Sequence, residues 1–134
     1  MRAPAEVRTA ADIGQAYETF STGGAEIVVV EQSNMLVNAS QVIAEAAAAK
    51  KLPTVYGYHE HVEAGGLISY GVDLDACFQR AAYYVDKILK GAKPADLPVE
   101  FPNTLALWIN LKTAKALGLK ISPNILVRAD KIIE

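Results

Sequence analysis

The 134-residue chain is poor in cysteine, in unbalanced charge and in long apolar runs, and each shortage argues against a class of protein. Its single cysteine, Cys77, rules out an internal disulfide. Thirteen basic side chains against 15 acidic ones give a net charge of −2, which argues against a nucleic-acid-binding surface. No apolar run approaches the roughly 18 residues that span a bilayer, so no membrane insertion is predicted.

The opening residues, MRAPAEVRTAADIG, lack the apolar h-region of a secretory signal peptide. No signal peptide is therefore expected in this stretch. The sequence predicts a cytoplasmic protein if the chain is complete as given. Otherwise it predicts the mature or truncated part of an exported protein.

The motifs of enzymes are missing as well. We find no phosphate-binding glycine motif, no nucleophile elbow and no acid–base pair that would support catalysis. Cys77 falls in an apolar helical stripe, where cysteine is typically a buried small hydrophobe. His59 and His61 would diverge by about 200° on a helical turn, which is poor geometry for chelation. The sequence thus predicts no enzyme, no cofactor and no metal site.

What the sequence does contain is the alternation of an α/β fold. A run with β-branched residues, Ala25 to Val30, predicts a parallel strand covered on both faces. A polar loop, Glu31 to Asn38, follows it. A helix to about Lys51 then begins at an Asn38–Gln41 capping box. A new strand starts at Pro53, and this strand–helix–strand order predicts a right-handed βαβ unit.

Two amphipathic helices frame this unit. The stripe of the first consists of Ile13, Ala16, Tyr17 and Phe20. The second begins at Asp73 and ends at Gly91. Its stripe consists of Leu74, Cys77, Phe78, Ala81, Val85, Ile88 and Leu89. An extended Pro-rich segment, Ala92 to Asn103, then leads to a strand at Leu105–Ile109, in which Trp108 is expected in the core. Three to four strands make a small sheet, as in part of a larger α/β unit.

The candidate functional residues follow strands, because ligands bind at the carboxyl ends of strands in parallel α/β sheets. Gln32, Ser33 and Asn34 follow the first strand, where they either hold a carboxylate or amide or form a solvated, helix-capping loop. Tyr58 follows the second strand and is a candidate for stacking on a ligand. Glu60 either pairs with an ammonium group or forms part of the acidic first turn of a helix.

These features are concentrated between Tyr56 and Gly71, in the stretch YGYHEHVEAGGLISYG. Ser69 and Tyr70 end a third strand, and both are expected to face a cleft or hinge. For Tyr70 the alternative is packing at the hinge. Gly71 and the Gly65–Gly66 pair are interpreted as requirements of the backbone rather than as ligand contacts.

Three stretches resemble one family in their order and spacing: the GGLISYG turn, the VDKILKGAKPADLPVE run and the INLKTAKALGL tail. From about Ala25 to its end, the chain resembles the ABC-transporter substrate-binding proteins that include tryptophan- and tyrosine-binding members. The resemblance implies the type I periplasmic-binding fold, in which two Rossmann-like lobes are joined by three crossing strands and close on a ligand.

The fold class implied is α/β, an incomplete Rossmann-like three-layer αβα lobe from the C-terminal portion of a longer protein. Residues 1–69 and 100–134 would form the second lobe. Residues 70–99 would form a crossing segment and a helix that packs on the first lobe.

The resemblance also implies a function. The chain would bind a small metabolite, an amino acid or aromatic compound, without catalysis, and deliver it in the periplasm to an ABC permease. A ligand-sensing regulatory domain of the same fold and a dimeric half-protein without a transport role are the alternatives. Because seven apolar side chains on one stripe cannot remain in water, we expect a homodimer through the Leu74–Leu89 helix.

Overall fold

The computed structural model describes residues 4–102 and 104–134, which form an α/β unit around a five-stranded sheet. The strands lie side by side in chain order: β1 (Val28–Val30), β2 (Thr54–Tyr56), β3 (Ile68–Val72), β4 (Leu105–Asn110) and β5 (Lys131–Ile133). The first three are parallel, β4 is antiparallel to β3, and β5 is parallel to β4. The predicted α/β class is confirmed, with one strand, β5, that the sequence pattern did not predict.

Seven α-helices join and flank these strands in the described residues. They are α1 (Asp12–Thr22), α2 (Asn34–Asn38), α3 (Ser40–Lys50), α4 (Glu60–Glu63), α5 (Leu74–Leu89), α6 (Leu111–Ala116) and α7 (Pro123–Leu126). A 3-10 turn, Pro94–Asp96, lies in the Pro-rich segment. The polar loop predicted after the first strand therefore contains a helix, α2. The predicted Asn38–Gln41 capping box is wrong, because Ala39 is the N-cap of α3 and no side chain caps it.

The core lies where α1 packs on α3 above β1 and β2. Ile13, Tyr17, Ile43 and Tyr56 are each at most 3% exposed. The stripe predicted on the first helix is thus buried, with Phe20 at its partly covered end. A buried polar contact in this core joins the Tyr17 and Thr54 hydroxyl oxygens at 3.2 Å. Burial of this kind supplies most of the stability of a small domain.

Strand β1 is an edge of the sheet, and only one of its faces is covered. The cross-strand partners Val29, Val55, Ile68, Ile109 and Ile132 form one apolar row. Exposure along it runs from 69% at Val29 to zero at Ile109. The prediction that the first strand is covered on both faces is wrong for the described residues, because α1 and α3 cover only the face opposite this row.

Helix α5 leaves the sheet altogether. The Asp73 side chain caps it by accepting a hydrogen bond from the Ala76 N–H, and Gly91 has a φ of 100°, as the predicted ends require. None of its residues is buried, and Phe78 and Leu89 are 70% and 82% exposed. Its excursion begins after Val72 and returns at Leu105, and these two residues are themselves paired across β3 and β4.

Two contacts tie α5 to the segment that returns to the sheet. The Arg80 guanidinium makes a two-point ion pair with Glu100, with N–O distances of 2.6 and 2.5 Å. The Tyr84 hydroxyl donates to the carbonyl of Pro98 at 2.8 Å. The ion pair holds the pKa of the Glu100 carboxyl well below its ordinary value, chiefly through the hydrogen bonds from Arg80.

Candidate ligand-binding site

The side chain of Gln32, which follows β1, contacts Gly57 after β2 and Gly71 in β3, so it joins the carboxyl ends of the three strands. Its Nε2 atom donates to the carbonyl of Gly57 at 3.1 Å. A Cβ atom on Gly57 would collide with the Gln32 side chain, and one on Gly71 would collide with the Gly57 carbonyl and Gln32 Nε2. Glycine at both positions therefore allows the strand ends to approach each other. The interpretation of Gly71 as a backbone requirement fits this contact.

Ser33 and Asn34 lie where α2 begins. Ser33 is the N-cap in extended conformation, but its hydroxyl caps no backbone N–H. Ser33 is partly buried, and Asn34 is exposed. Both side chains are thus available at the end of β1, next to the Gln32 contact.

Tyr58 and Glu60 follow β2 and lead into α4. Tyr58 is partly exposed, and Glu60 lies in the first turn of α4. The Oε2 atom of Glu60 is shielded from solvent and has no hydrogen-bond partner in the described part of the chain. The nearest cationic candidate is His59 Nδ1, at 4.0 Å. A shielded carboxylate oxygen that has no hydrogen-bond donor within the chain is suited to accept a hydrogen bond from a bound ammonium or hydroxyl group.

Ser69 and Tyr70 are neighbours in β3 and point to opposite sides of the sheet. Ser69 is 1% exposed, and its hydroxyl has no partner among the described residues. Tyr70 is 57% exposed. The expectation that both face the same cleft or hinge is therefore wrong in orientation, because successive strand residues alternate. The ligand-binding role of each residue stays a prediction.

The two histidines of α4 and its cap diverge, as the helical spacing predicts. His59 stacks on Trp108 with ring centres 4.3 Å apart, and His61 stacks on Tyr56 at 4.7 Å. Burial lowers the pKa of His61, which is 1% exposed. No three residues with metal-ligating side chains cluster within the described ranges.

Trp108 was expected in the core but is only partly buried. Its ring lies between β4 and the cap of α4, with Lys131 Nζ 4.3 Å from its centre. No local sequence signal joins His59, Trp108 and Lys131, because they come from three separate elements. The stack anchors α4 against β4, and it thereby positions Glu60.

This arrangement supplies hydrogen-bonding and aromatic groups but no nucleophile paired with a base. Tyr58 and Tyr70 offer phenol rings, Glu60 an acceptor, and Gln32 and Asn34 amides. All of these residues lie in β3 or directly after β1 and β2. None of the described helices combines the length and apolarity needed to cross a bilayer.

Comparison with known proteins places this chain in a family. A family profile described as "ABC transporter substrate binding protein" matches residues 3–133. No curated protein sequence matches the chain significantly. A ligand-free, open substrate-binding protein with adhesive properties from Clostridium difficile shares the fold at 20% identity, with a TM-score of 0.66. That comparison covers 98% of this chain and 43% of the other.

Two other solved structures are more similar in sequence. One is a conserved domain protein from Vibrio cholerae O1 biovar El Tor, with 27% identity over 96% of this chain and a TM-score of 0.85. The other is an ABC domain in complex with L-Trp from Streptococcus pneumonia, with 27% identity over 95% of this chain and the same TM-score. This chain spans 43% of each of those proteins. The match over nearly all of its length shows that the chain belongs to the ABC transporter substrate-binding protein family.

Proposed function

We propose that this chain forms one wall of the ligand cleft of a solute-binding protein, which binds an amino acid or an aromatic compound for an ABC uptake transporter. The family consists of non-catalytic substrate-binding proteins. The site agrees with this, since it offers ligand-binding groups without a reactive pair. In this proposal the ligand is carried unchanged.

The observation that carries the proposal is the meeting of three strand ends at Gln32. The Gln32 contact with Gly57 and Gly71 brings together the strand ends that carry Tyr58 and Tyr70. In a parallel sheet this edge is where ligands bind. Tyr70 is 57% exposed, and in this proposal the opposite wall that covers it comes from the rest of a two-lobed protein.

The L-Trp bound by the Streptococcus protein suggests the ligand class. In our proposal Tyr58 and Tyr70 contact an apolar or aromatic side chain, and the unpartnered Glu60 oxygen accepts from an ammonium group. Gln32, Ser33 and Asn34 bind the carboxylate end. Ser69 is buried on the side of β3 opposite Tyr70, where it supports the backbone of the site.

A chimaera tests this proposal. The matching 43% of the Streptococcus protein is replaced by this chain, and binding of L-Trp and of each other standard amino acid is measured by calorimetry. We expect at least one ligand to bind. Glu60→Gln should weaken that binding at least tenfold, while Glu63→Gln, on the exposed side of the same helix, should leave it unchanged. A folded chimaera that binds no amino acid and no aromatic acid would contradict the proposal.

We also propose where the rest of the system lies. Residues 1–69 and 100–134 belong to the second lobe, and residues 70–99 cross to the first lobe and pack on it. The complete protein works in the periplasm, where its closed form docks on the permease. Uptake of labelled ligand by cells that carry the complete protein, with and without Glu60→Gln, checks the transport role.

In the isolated chain we propose that a second copy covers α5, because its apolar face has no cover in the described chain. Light scattering should then give twice the chain's mass of 14.4 kDa. Phe78→Asp should shift the mass to that of one chain, whereas Val127→Asp, at a residue that is 87% exposed in the turn after α7, should not. A single-chain mass for the unmodified protein contradicts this homodimer.

A further inference from the structure

We propose a second binding site, for a small anion with an apolar body, in a cavity between α3 and α6. The cavity has a volume of about 310 Å³. Its lining includes the residues just before β2 and β3, namely Leu52 and the Gly65–Leu67 segment, together with Thr54 and Tyr56 of β2 itself. It therefore lies beside β2 and the segment that leads into β3, and its lining contains neither Tyr58 nor Tyr70. The inference does not depend on the proposed function.

The space exists because the two helices face each other with small side chains. Helix α3 contributes Ala44, Ala47 and Ala48, and α6 contributes Ala116. Leucine side chains complete the apolar lining. They are Leu52, Leu67 and Leu117. A cavity of this size, at the lower end of the range of ligand pockets, suits a molecule of about one ring.

The charge of the lining sets the sign of the ligand. Lys51 at the end of α3 and Lys112 in α6 both line the cavity, and no aspartate or glutamate does. In the described parts of the chain, neither ammonium group has a carboxylate within 4.0 Å. Two unpaired cations on opposite walls of an apolar cleft favour a carboxylate between them.

The carboxyl end of α3 does not cancel the positive charge of Lys51 and Lys112. A helix end carries partial negative charge on its free carbonyls, which would repel an anion. Here the carbonyl of Ala48 accepts from the Lys51 N–H, and that of Ala47 from the Leu52 N–H. Lys51 adopts the left-handed conformation, with a φ of 51°, that makes this closure possible. Two of the last four carbonyls of α3, those of Ala47 and Ala48, are thereby satisfied within the backbone, and both residues line the cavity.

Benzoate is the probe, because it combines one ring with one carboxylate, and benzamide is its neutral counterpart. Titration of the isotope-labelled chain at low salt is followed by two-dimensional NMR. We expect saturable shifts at the amides of α3, α6 and the Gly65–Leu67 segment, with benzamide binding at least tenfold more weakly. Shifts of equal size from benzoate and benzamide would overturn the proposal, and so would shifts confined to the amides around Tyr58 and Tyr70.

Variants separate the cavity from general surface binding. Ala116→Leu, at an exposed position of α6, fills the space with a residue of good helix propensity, and it should reduce benzoate affinity at least tenfold. Ala82→Leu, at an exposed site on α5, is the matched control and should change nothing. Lys51→Asn, which keeps a residue tolerant of the left-handed conformation, and Lys112→Met should each weaken binding several-fold. Unchanged affinity in the folded Ala116→Leu variant would overturn the proposal.

Discussion

Helices α1 and α5 carry the same kind of apolar stripe, yet their surroundings differ completely. The stripe of α1 packs on α3, and Ile13 and Tyr17 are 2% and 3% exposed. The stripe of α5 contains no buried residue, and Leu89 at its end is 82% exposed. An amphipathic pattern predicts that a face needs cover, but the cover itself must come from elsewhere in the chain or from another chain.

The largest expected effect separates the covered region from the rest. Ile43→Ala removes a side chain that is 2% exposed in the α1–α3 core, and it should lower the free energy of unfolding by about 2–5 kcal/mol. Ile125→Ala, at a residue that is 41% exposed on α7, is the matched control and should cost far less. Urea unfolding measures both. Equal losses would show that the core does not dominate the stability.

A second substitution tests the end of β3, where the chain leaves the sheet and enters α5. Gly71→Ala places a Cβ atom against the Gly57 carbonyl, so the strand ends must separate, at a cost of about 1–3 kcal/mol. Gly14→Ala lies inside α1 with nothing within 4 Å of the new atom, and it should stabilise by about 0.5–1 kcal/mol. If both alanines acted in the same direction, the close approach at Gly71 would be refuted.

A pH experiment sharpens the contrast, because the effect that we expect arises at a buried side chain, His61. Burial lowers the pKa of His61 below its ordinary value of 6.5. Between the lowered pKa of the folded chain and the ordinary pKa of the unfolded chain, the unfolded chain therefore binds more protons than the folded one. Stability is therefore complete above pH 6.5 and falls as the pH drops below it. Thermal melts from pH 7.5 to 5.5 measure this loss. His61→Phe should remove the dependence and His59→Gln should retain it; an unchanged slope in His61→Phe would contradict the assignment.

The smallest expected effect concerns the uncovered helix. Arg80→Met removes the ion pair to Glu100 that ties α5 to the returning segment. Amide hydrogen exchange in α5 should speed up several-fold, while exchange in α3 should not change. Lys90→Met, which loses only an ion pair to Asp86 within α5, is the control. Faster exchange in α3 as well would show that the two regions unfold together.

Local patterns predicted the elements whose signals are complete within a few residues. The stripe of α1, the Asp73 cap and the Gly91 stop were all found from periodicity and capping chemistry. The helix α2 was not, because Asn34 and Asn38 at its ends are typical of loops. Strand β5 was missed because its three residues carry too short a pattern.

The candidate site was predictable only at the level of strand ends. Tyr58 and Glu60 follow β2, as the pattern indicated. The contact of Gln32 with Gly57 and Gly71 could not be predicted, because it depends on how closely β2 and β3 approach. The surroundings of Trp108 could not be predicted either, since nothing in its own strand shows that its ring stacks on His59 rather than packing in the core.

The antiparallel pairing of Val72 with Leu105 makes the α5 excursion removable. Two strand residues that face each other in an antiparallel ladder can be closed by a tight turn of two residues, such as Asn-Gly. Replacing residues 73–104 with that turn would convert β3 and β4 into an ordinary hairpin while leaving every strand of the sheet in place. The α5 excursion, residues 73–104, and the sheet with the candidate binding residues can therefore be separated by changing one connection of the chain.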